Sequence, residues 1–303
     1  MTPSRRNNSS SFANRENTRR IEELDRKLSD LGIKIKDEDS RKVTDEVFDE
    51  VTLLSLYKLV HKKVISSLGG SISSGKEANV FLAGRVEGAE CEESESEAPA
   101  SESQTFDVSQ PSKAPVFVDA AVKIYRIRTG NFTRMSEYIV GDPRFSSIRH
   151  THKDMIFAWT KKEFSNLSRA REAGLTVPQP YAFDRNILVM EFMGENGIAY
   201  PQMRQILPAS PEETYNEALG IITDLYRKAK LVHGDLSEYN ILTGPDGLIL
   251  IDMAQAVTLE HPRAYNFLFR DIANINRFFE KKCAVRDPHE IFREIVGEEF
   301  FEL

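Results

Sequence analysis

Three polar side chains in the second half of the chain have the types and the order that phosphate chemistry uses. Asp235 and Asn240 lie in the run LVHGDLSEYNIL, and Asp252 closes the apolar segment that follows. A carboxylate can take the proton of an attacking hydroxyl. One carboxylate and one amide oxygen are hard ligands that suit Mg²⁺ beside phosphate groups. The pattern predicts that Asp235 serves an accepting hydroxyl and that Asn240 and Asp252 are metal ligands.

Two short strands are needed to bring these side chains together. The sequence predicts a strand from Ile241, a turn at Gly244–Gly247 and a second strand over Leu248–Ile251, which returns Asp252 beside Asn240. Each residue alone is ordinary loop chemistry. The ordered set resembles the catalytic hairpin of protein-kinase-like folds, whose strand-closing acid binds the Mg²⁺ that bridges nucleotide phosphates.

Two segments upstream are candidates for phosphate binding. Residues 71–83 read as strand, turn and strand, and Ser74 and Lys76 in the turn offer exposed backbone N–H groups and a cation. The turn has neither the G-x-G-x-x-G nor the Walker spacing, so an ordinary hairpin remains the alternative. Lys123 is the single cation of an apolar strand of the V-A-I-K type, whose lysine meets the α- and β-phosphates. An edge-strand lysine is its alternative.

A helix and a strand would complete the nucleotide site. The helix predicted over Phe157–Ala173 carries Glu163, the candidate ion-pair partner of the strand lysine, although a solvated helix residue would look the same. The strand before Gly194 is typical of a lobe-joining hinge. Backbone groups of Glu191 and Met193 would meet adenine and Met190 would line its pocket, with a plain buried strand as the alternative.

Composition separates a balanced core from polar extensions. Between Val86 and Ser112 there are eight acidic residues and no Lys or Arg, and without these eight the formal net charge of −7 becomes +1. Residues 84–115 are therefore predicted as a disordered acidic insert and residues 1–16 as a disordered basic arm. The arm either contacts RNA phosphates or only solubilises the chain. Helices are predicted from Asn17 to Gly32 and over Thr44–Leu68.

Several classes of protein are disfavoured. The chain has only two cysteines, Cys91 and Cys283, so a disulfide framework is not expected. No apolar run approaches the length of a bilayer span, and the polar N-terminus lacks a secretory segment. We expect a cytoplasmic protein with reduced thiols and neither a membrane nor a DNA partner.

The runs SSGKEANV, AVKIYR, VMEFMG, LVHGDLSEYNIL and LIDMAQAV, in this order, resemble the RIO family of atypical serine/threonine protein kinases, in its first subfamily. The resemblance covers about residues 71–282. It implies an α+β, trimmed protein-kinase-like fold with no long activation segment. A small β-rich N-lobe (71–193) and a helical C-lobe (194–303) would enclose an ATP cleft, preceded by N-terminal helices (17–70).

The resemblance also implies ATP and Mg²⁺ as cofactors, ATP hydrolysis beside kinase activity, and an aspartyl-phosphate on Asp252. It implies a role in late maturation of the small ribosomal subunit, with a transient partner in the pre-small-subunit particle, its protein and its rRNA. The residues to which it assigns nucleotide, metal or catalytic roles are Ser74, Lys76, Lys123, Glu163, Met190, Glu191, Met193, Asp235, Asn240 and Asp252.

Two other functions remain open on the sequence. Antibiotic and sugar phosphotransferases share the HGDL run around Gly234. They need a large helical acceptor site after the metal-binding aspartate, and the stretch after Asp252 is short. A nucleotide-binding assembly factor without catalysis is the second alternative, and the intact Lys123, Asp235 and Asn240 argue against it. Neither the protein substrate nor the oligomeric state is indicated.

Overall fold

An antiparallel sheet forms the first lobe of the computed structural model. The structure describes residues 23–24, 26–29, 47–87, 116–127, 132–145 and 151–297. The sheet has the strand order β1-β2-β3-β5-β4. Its strands are β1 (Ser67–Ser74), β2 (Ala78–Val86), β3 (Phe117–Tyr125), β4 (Pro180–Asp184) and β5 (Ile187–Glu191). Helices α1 (Glu50–His61), α2 (Phe132–Ile139) and α3 (His152–Glu172) accompany these strands.

The second lobe is mainly helical and carries the catalytic hairpin. Its helices are α4 (Pro211–Arg227), α5 (Ala264–Phe279) and α6 (Pro288–Val296). Its strands are short: β6 (Gly194–Glu195), β7 (Ile198–Ala199), β8 (Leu231–Val232), β9 (Ile241–Gly244), β10 (Gly247–Leu250) and β11 (Val257–Thr258). The predicted α+β architecture, with a β-rich lobe followed by a helical one, is confirmed.

The pleat of β3 explains how Lys123 comes to face the predicted nucleotide site. Successive side chains of a strand point to opposite faces of the sheet. Val122 and Ile124 are buried in the core that α1 covers, whereas Tyr125 belongs to the core on the α3 side. Lys123 shares that second face and reaches Glu163 on α3. One strand therefore anchors the lobe with one face and supplies the site with the other.

The N-terminal helices are confirmed only in part. The described residues 23–24 and 26–29 are helical, and Leu28 is fully buried, as the predicted first helix requires. The helix predicted over Thr44–Leu68 is wrong after His61, because the chain turns at Lys63 (φ +58°) and enters β1 at Ser67. The glycines of the stop signal, Gly69-Gly70, instead lie in an irregular part of that strand, where glycine is common.

The acidic insert begins later than predicted. Gly84–Val86 were assigned to it, but they end β2 and pair with Phe117–Asp119 of β3. Burial alternates along β2 only as far as Ala83, and Gly84–Val86 are all half-buried, so the end of this strand carries no alternating apolar pattern that would separate it from the acidic composition that follows. The remainder, 88–115, lies outside the described residues, as do the predicted basic arm 1–16 and Cys91. The segment after Tyr125 contains α2, whose Met135, Tyr138 and Ile139 are buried.

Replacing Leu28 with alanine is expected to lower the free energy of unfolding by about 2–5 kcal/mol, because a buried leucine that shrinks leaves a cavity. The side chain is 0% exposed and packs in the core under α1. Lys27→Ala is the matched control, since Lys27 is exposed and makes a surface ion pair with Glu23. Urea unfolding measures both variants. Equal, small losses would show that Leu28 is not packed against this core.

Candidate active site

The catalytic hairpin forms as predicted. β9 and β10 pair as a two-stranded antiparallel ladder, and the N–H of Ile251 donates to the Asn240 carbonyl oxygen at 3.0 Å. The strand that leads to Asp252 therefore returns beside Asn240. The Asn240 side-chain nitrogen Nδ2 donates to the backbone oxygen of Asp235 at 2.9 Å. Because its amide nitrogen is engaged in this way, Asn240 can present its amide oxygen to a metal ion.

Lys123 joins the two lobes of the site. Its Nζ lies 2.7 Å from Glu163 Oε1 and 2.9 Å from Asp252 Oδ1. The predicted ion pair between Lys123 and Glu163 therefore forms, and the lysine also contacts the predicted metal ligand. The Lys123 and Glu163 side chains are buried, but 48% of the Asp252 side chain is exposed. A ligand entering from solvent can thus reach Asp252 while the lysine stays fixed behind it.

The charges of Lys123, Glu163 and Asp252 support one another. Burial works against the charge of Lys123, but Asp252 and Glu163 raise the pKa of its ammonium above the usual value. Removal from water works against an ionised Asp252, yet the neighbouring Lys123 holds the pKa of that carboxyl below its ordinary value. Burial raises the pKa of Glu163, with Lys123 opposing the rise. The pair facing the ligand is therefore a charged lysine and an ionised aspartate.

Tyr125 completes the support of Glu163, which the sequence did not indicate. Its hydroxyl donates to Glu163 Oε2, while Lys123 holds the other carboxylate oxygen. Burial raises the pKa of the Tyr125 hydroxyl well above its usual value, so the phenol stays protonated as a donor. The alternation of side chains along β3 could have indicated this contact, since Tyr125 lies two residues after Lys123 and therefore on the same face of the sheet.

The loop that carries Asp235 is fixed from α5. Both carboxylate oxygens of Asp271 accept backbone N–H groups of this loop, from Gly234 at 2.8 Å and from Leu236 at 2.9 Å. Arg270 donates to the Gly234 carbonyl oxygen and to the Tyr138 hydroxyl. These contacts give Arg270 and Asp271 a structural role. They position the backbone on either side of Asp235, the predicted catalytic residue.

Gly234 has a local reason to be glycine. Its φ is +79°, and a Cβ at this position would lie 3.2 Å from both the Gln255 carbonyl oxygen and the Tyr138 ring. A side chain would be strained and crowded there. The HGDL run shared with small-molecule phosphotransferases is thus explained by the tight approach of the catalytic loop to Gln255 and α2.

The predicted phosphate turn is braced by its own strands. Asn79 is fully buried; its Nδ2 donates to Ser74 Oγ at 3.1 Å, and its Oδ1 accepts from Arg126 Nε at 3.0 Å. Gly75 N–H donates to the Ala78 carbonyl oxygen at 2.9 Å and closes the turn. Lys76 is exposed at the tip. Its phosphate role stays a prediction.

The hinge prediction can be narrowed to particular backbone atoms. Glu191 N–H donates to the Gln179 carbonyl oxygen at 2.8 Å, and Tyr200 N–H donates to the Met193 carbonyl oxygen at 3.0 Å. Adenine contacts would then use the carbonyl of Glu191 and the N–H of Met193. Met190 is half-buried and lies in β5 opposite Ala121 of β3. The adenine contacts themselves stay predictions.

The donor set fits a magnesium nucleotide. Asp252 and Asn240 offer hard oxygen ligands, and Mg²⁺ bound by one or two such groups takes its other ligands from phosphates and water. In the part of the chain that the structure describes, no cluster of three or more His, Cys, Asp or Glu side chains could hold a metal ion on its own.

Cys283 is a free thiol. Among the same residues, no helix combines the length and apolar content that crossing a lipid bilayer requires.

Comparison with known proteins agrees with the motifs. The family model described as RIO domain matches residues 104–291, which is more than half of the chain. The chain belongs to the RIO family. The predicted resemblance to its first subfamily is confirmed by relatives of the Rio1 type, and the chain is therefore a protein kinase of that type.

The relatives cover most of this RIO chain. The RIO-type serine/threonine-protein kinase Rio1 of Haloferax volcanii is 38% identical over 275 residues, which are 91% of this chain and 84% of that protein. The protein of the same name from Methanocaldococcus jannaschii is 35% identical and spans 85% and 78% of the two chains. Serine/threonine-protein kinase RIO1 of Saccharomyces cerevisiae is 34% identical, but this chain covers only 54% of it.

Solved structures establish the fold. The Rio2 kinase of Chaetomium thermophilum, crystallised as an ADP/Mg²⁺-phosphoaspartate complex, superimposes with a TM-score of 0.54 at 22% sequence identity. The match covers 81% of this RIO chain and 65% of that one. The trimmed kinase-like fold is thereby confirmed, with the β-rich lobe and helical lobe in the expected order.

Asp271→Asn is expected to remove a pH dependence of stability. Burial raises the pKa of Asp271 to about 6, against the opposing effect of His233. An acid whose pKa is higher in the folded than in the unfolded protein stabilises the fold as pH falls from 6 toward 4, by up to roughly 3 kcal/mol for a shift of about two units. The asparagine variant cannot gain this stability on acidification.

Urea unfolding between about pH 4 and pH 7 measures the difference in unfolding free energy between the wild type and Asp271→Asn. That difference should grow as the pH falls through 6. Asp224→Asn, at an exposed carboxylate on α4 that pairs with Lys228, should show no comparable trend. Parallel curves for the wild type and Asp271→Asn would show that Asp271 titrates normally in the fold.

Proposed function

We propose that this RIO-family kinase transfers the γ-phosphoryl group of ATP to a serine or threonine hydroxyl, and that it also hydrolyses ATP through a phosphoryl group carried on Asp252. The contact that carries the proposal is Lys123, which holds Glu163 at 2.7 Å and Asp252 at 2.9 Å. Kinases need this lysine–glutamate pair and the metal-binding aspartate in place together. Here both are assembled.

Nucleotide binding would use both lobes. Ser74 and Lys76 in the β1–β2 turn, together with Lys123, would meet the phosphates, while Glu191 and Met193 would meet adenine beside Met190. Asn240 and Asp252 would hold Mg²⁺, which supplies charge neutralisation on the β- and γ-phosphates when bound. In this arrangement the acceptor hydroxyl approaches from the side of Asp235.

Transfer to protein would begin at Asp235. Its carboxylate accepts the proton of the serine or threonine hydroxyl while the hydroxyl oxygen forms a bond to the γ-phosphorus. The bond from that phosphorus to the β–γ bridging oxygen breaks, and ADP leaves. Gln255 Nε2 donates to Asp235 Oδ2 at 3.0 Å and so orients the carboxylate. Asp235 can then act without contacting the metal.

Hydrolysis would use Asp252 as the acceptor. Its carboxylate oxygen attacks the γ-phosphorus, ADP leaves, and water then attacks the phosphoaspartate to release phosphate and restore the carboxylate. Two features support this route. Asp252 is half exposed, with its pKa lowered by Lys123 against the effect of burial, so an anionic oxygen faces the cleft. The similar Rio2 kinase was crystallised with a phosphoaspartate.

The proposed cellular role is late maturation of the small ribosomal subunit in the cytoplasm, through transient binding to the pre-small-subunit particle. Membership of the RIO family supports this role. Co-sedimentation with precursor particles tests it, with mature small subunits as the control. Binding to precursors that weakens after ATP hydrolysis is expected. Equal binding to mature subunits, or none to precursors, would contradict the role without affecting the chemistry.

Labelling with γ-³²P-ATP and Mg²⁺ tests the reaction itself. Acid-stable label on serine, together with a hydroxylamine-labile fraction, is the expected result. Label on serine without a labile fraction would support the kinase and reject the phosphoaspartate. No label on protein, with ATP consumed only when a small alcohol is supplied, would identify a small-molecule phosphotransferase instead.

A further inference from the structure

The turn that follows Asp252 rests on the buried face of α3. Asp252 has φ +60°, and the next three residues form a 3₁₀ turn over Met253–Gln255. Lys162 of α3 is 0% exposed, and its ammonium donates to the carbonyl oxygen of Ala254 at 3.1 Å and to that of Ala256. A long side chain with a terminal nitrogen donor thus reaches the turn from α3 and binds two of its carbonyl oxygens.

A second α3 side chain holds the same turn. Asn166 is also 0% exposed, and its Nδ2 donates to the carbonyl oxygens of Met253 and Ala256, each at 2.8 Å. Its Oδ1 accepts from Arg144 at 2.8 Å, and Arg144 is fixed in turn by two side-chain bonds to Asp142. The amide is therefore oriented with its nitrogen toward the turn.

The chemistry of Lys162 argues against a role in stability alone. Burial lowers the pKa of Lys162 to about 7, against the opposing effects of Asp142 and Glu163. Aliphatic side chains of similar length fill buried space without this cost. What the lysine adds is a donor for the Ala254 carbonyl oxygen and a second donor, beside Asn166, for the Ala256 carbonyl oxygen.

Helical spacing connects these contacts to the nucleotide site. Lys162 and Asn166 are four residues apart and share one face of α3, whereas Glu163, on the adjoining face, holds Lys123. If α3 contributed Glu163 alone, a rotation of the helix would move Lys123 without moving Asp252. In this chain the same helix binds both Lys123 and the turn that follows Asp252.

We propose that Lys162 and Asn166 are positioning residues for Asp252. In this proposal α3 holds both Lys123 and the turn that follows Asp252, so that the lysine and the proposed metal ligand are positioned together. The proposal rests on the proposed function insofar as Asp252 is the metal ligand. Loss of the Lys162 contacts would free the turn, so that Asp252 must be ordered each time that the magnesium nucleotide binds. Metal-dependent binding should weaken while binding of the nucleotide alone does not.

Lys162→Met tests the proposal, with Lys161→Met as the matched control because Lys161 is the neighbouring, exposed lysine of the same helix. Calorimetry of ADP binding with and without Mg²⁺ is the first readout. Lys162→Met should raise the Mg²⁺ concentration for half-maximal effect about tenfold, as loss of a group that orients a metal ligand does. Affinity for metal-free ADP should stay within about twofold of the wild type.

Hydrogen–deuterium exchange of the nucleotide-free protein is the second readout. Amides of the segment Met253–Val257 should exchange about tenfold faster in Lys162→Met, while those of α4 and α5 keep their wild-type protection. Asn166→Ala, which retains Lys162, should show a smaller change in the same direction. It serves as the test if Lys162→Met does not fold.

Two results would overturn the proposal. One is wild-type exchange of the turn and wild-type Mg²⁺ dependence in both variants. The other is a uniform loss of protection in α4, α5 and the turn, with ADP affinity reduced equally with and without Mg²⁺, since that would make Lys162 a stability residue only. If the affinity of the wild type for ADP does not depend on Mg²⁺, the proposed function fails. Hydrogen–deuterium exchange of the Met253–Val257 segment then still decides whether the α3 contacts hold the turn.

Discussion

Replacing Asp235 with alanine is expected to lower the rate of protein phosphorylation by about 10²–10⁴-fold, the usual contribution of a positioned base. Binding of the magnesium nucleotide should stay within about twofold of the wild type. The structure explains this separation. Asn240 is oriented by the backbone oxygen of Asp235, which the substitution keeps, while the lost carboxylate contacts Gln255. Asn240 and Asp252, the proposed metal ligands, should therefore keep their positions in the variant.

Asp235→Asn is the isosteric companion of the alanine variant. It keeps an oxygen that can accept from Gln255 Nε2, so the loop should hold its shape while the base is lost. Rates of serine labelling and calorimetric affinities for ADP with Mg²⁺ measure both variants. Equal, large losses of rate in the two variants would identify the carboxylate as the base. Wild-type labelling in both would reject the assignment of Asp235.

The local parts of the site could be predicted from the sequence. The catalytic hairpin places Asp235 and Asn240 before its first strand and Asp252 after its second. Its strands and turn are predicted from the alternation of side chains and from turn residues, and both signals are visible in a short stretch of chain. The lysine–glutamate pair needed one further step. Lys123 stands alone in an apolar strand and Glu163 lies in the next long helix, and the structure places their charged atoms 2.7 Å apart.

The supporting contacts could not be predicted, for physical reasons. Lys162 and Asn166 bind backbone carbonyl oxygens about 90 residues away, and a carbonyl partner leaves no trace in residue type. Asp271 likewise binds backbone N–H groups of a distant loop. The strand at Ser67 was missed because Gly69 and Gly70 signal a helix stop as strongly as they accompany an irregular strand. Tertiary pairing with β2 decides between them.

Asp252→Ala is expected to weaken binding of ATP in the presence of Mg²⁺ by at least about tenfold and to remove any hydroxylamine-labile label, because the proposed metal ligand, which is also the proposed acceptor, is lost. Affinity for metal-free nucleotide should change less. Lys123 keeps its bond to Glu163, so the lysine stays oriented when its second partner disappears. The effect should therefore follow the Mg²⁺ concentration.

Asp252→Asn separates charge from backbone conformation. Asp252 has φ +60°, a region that asparagine tolerates far better than alanine does, so the turn should be less strained in this variant. If Asp252→Asn also loses the labile label and the Mg²⁺ dependence, the carboxylate charge is responsible. If Asp252→Asn behaves as the wild type while Asp252→Ala fails, the backbone shape of the turn is what matters, and Asp252 is neither acceptor nor charged ligand. A labile label that persists in both variants would place the phosphoryl group on another residue.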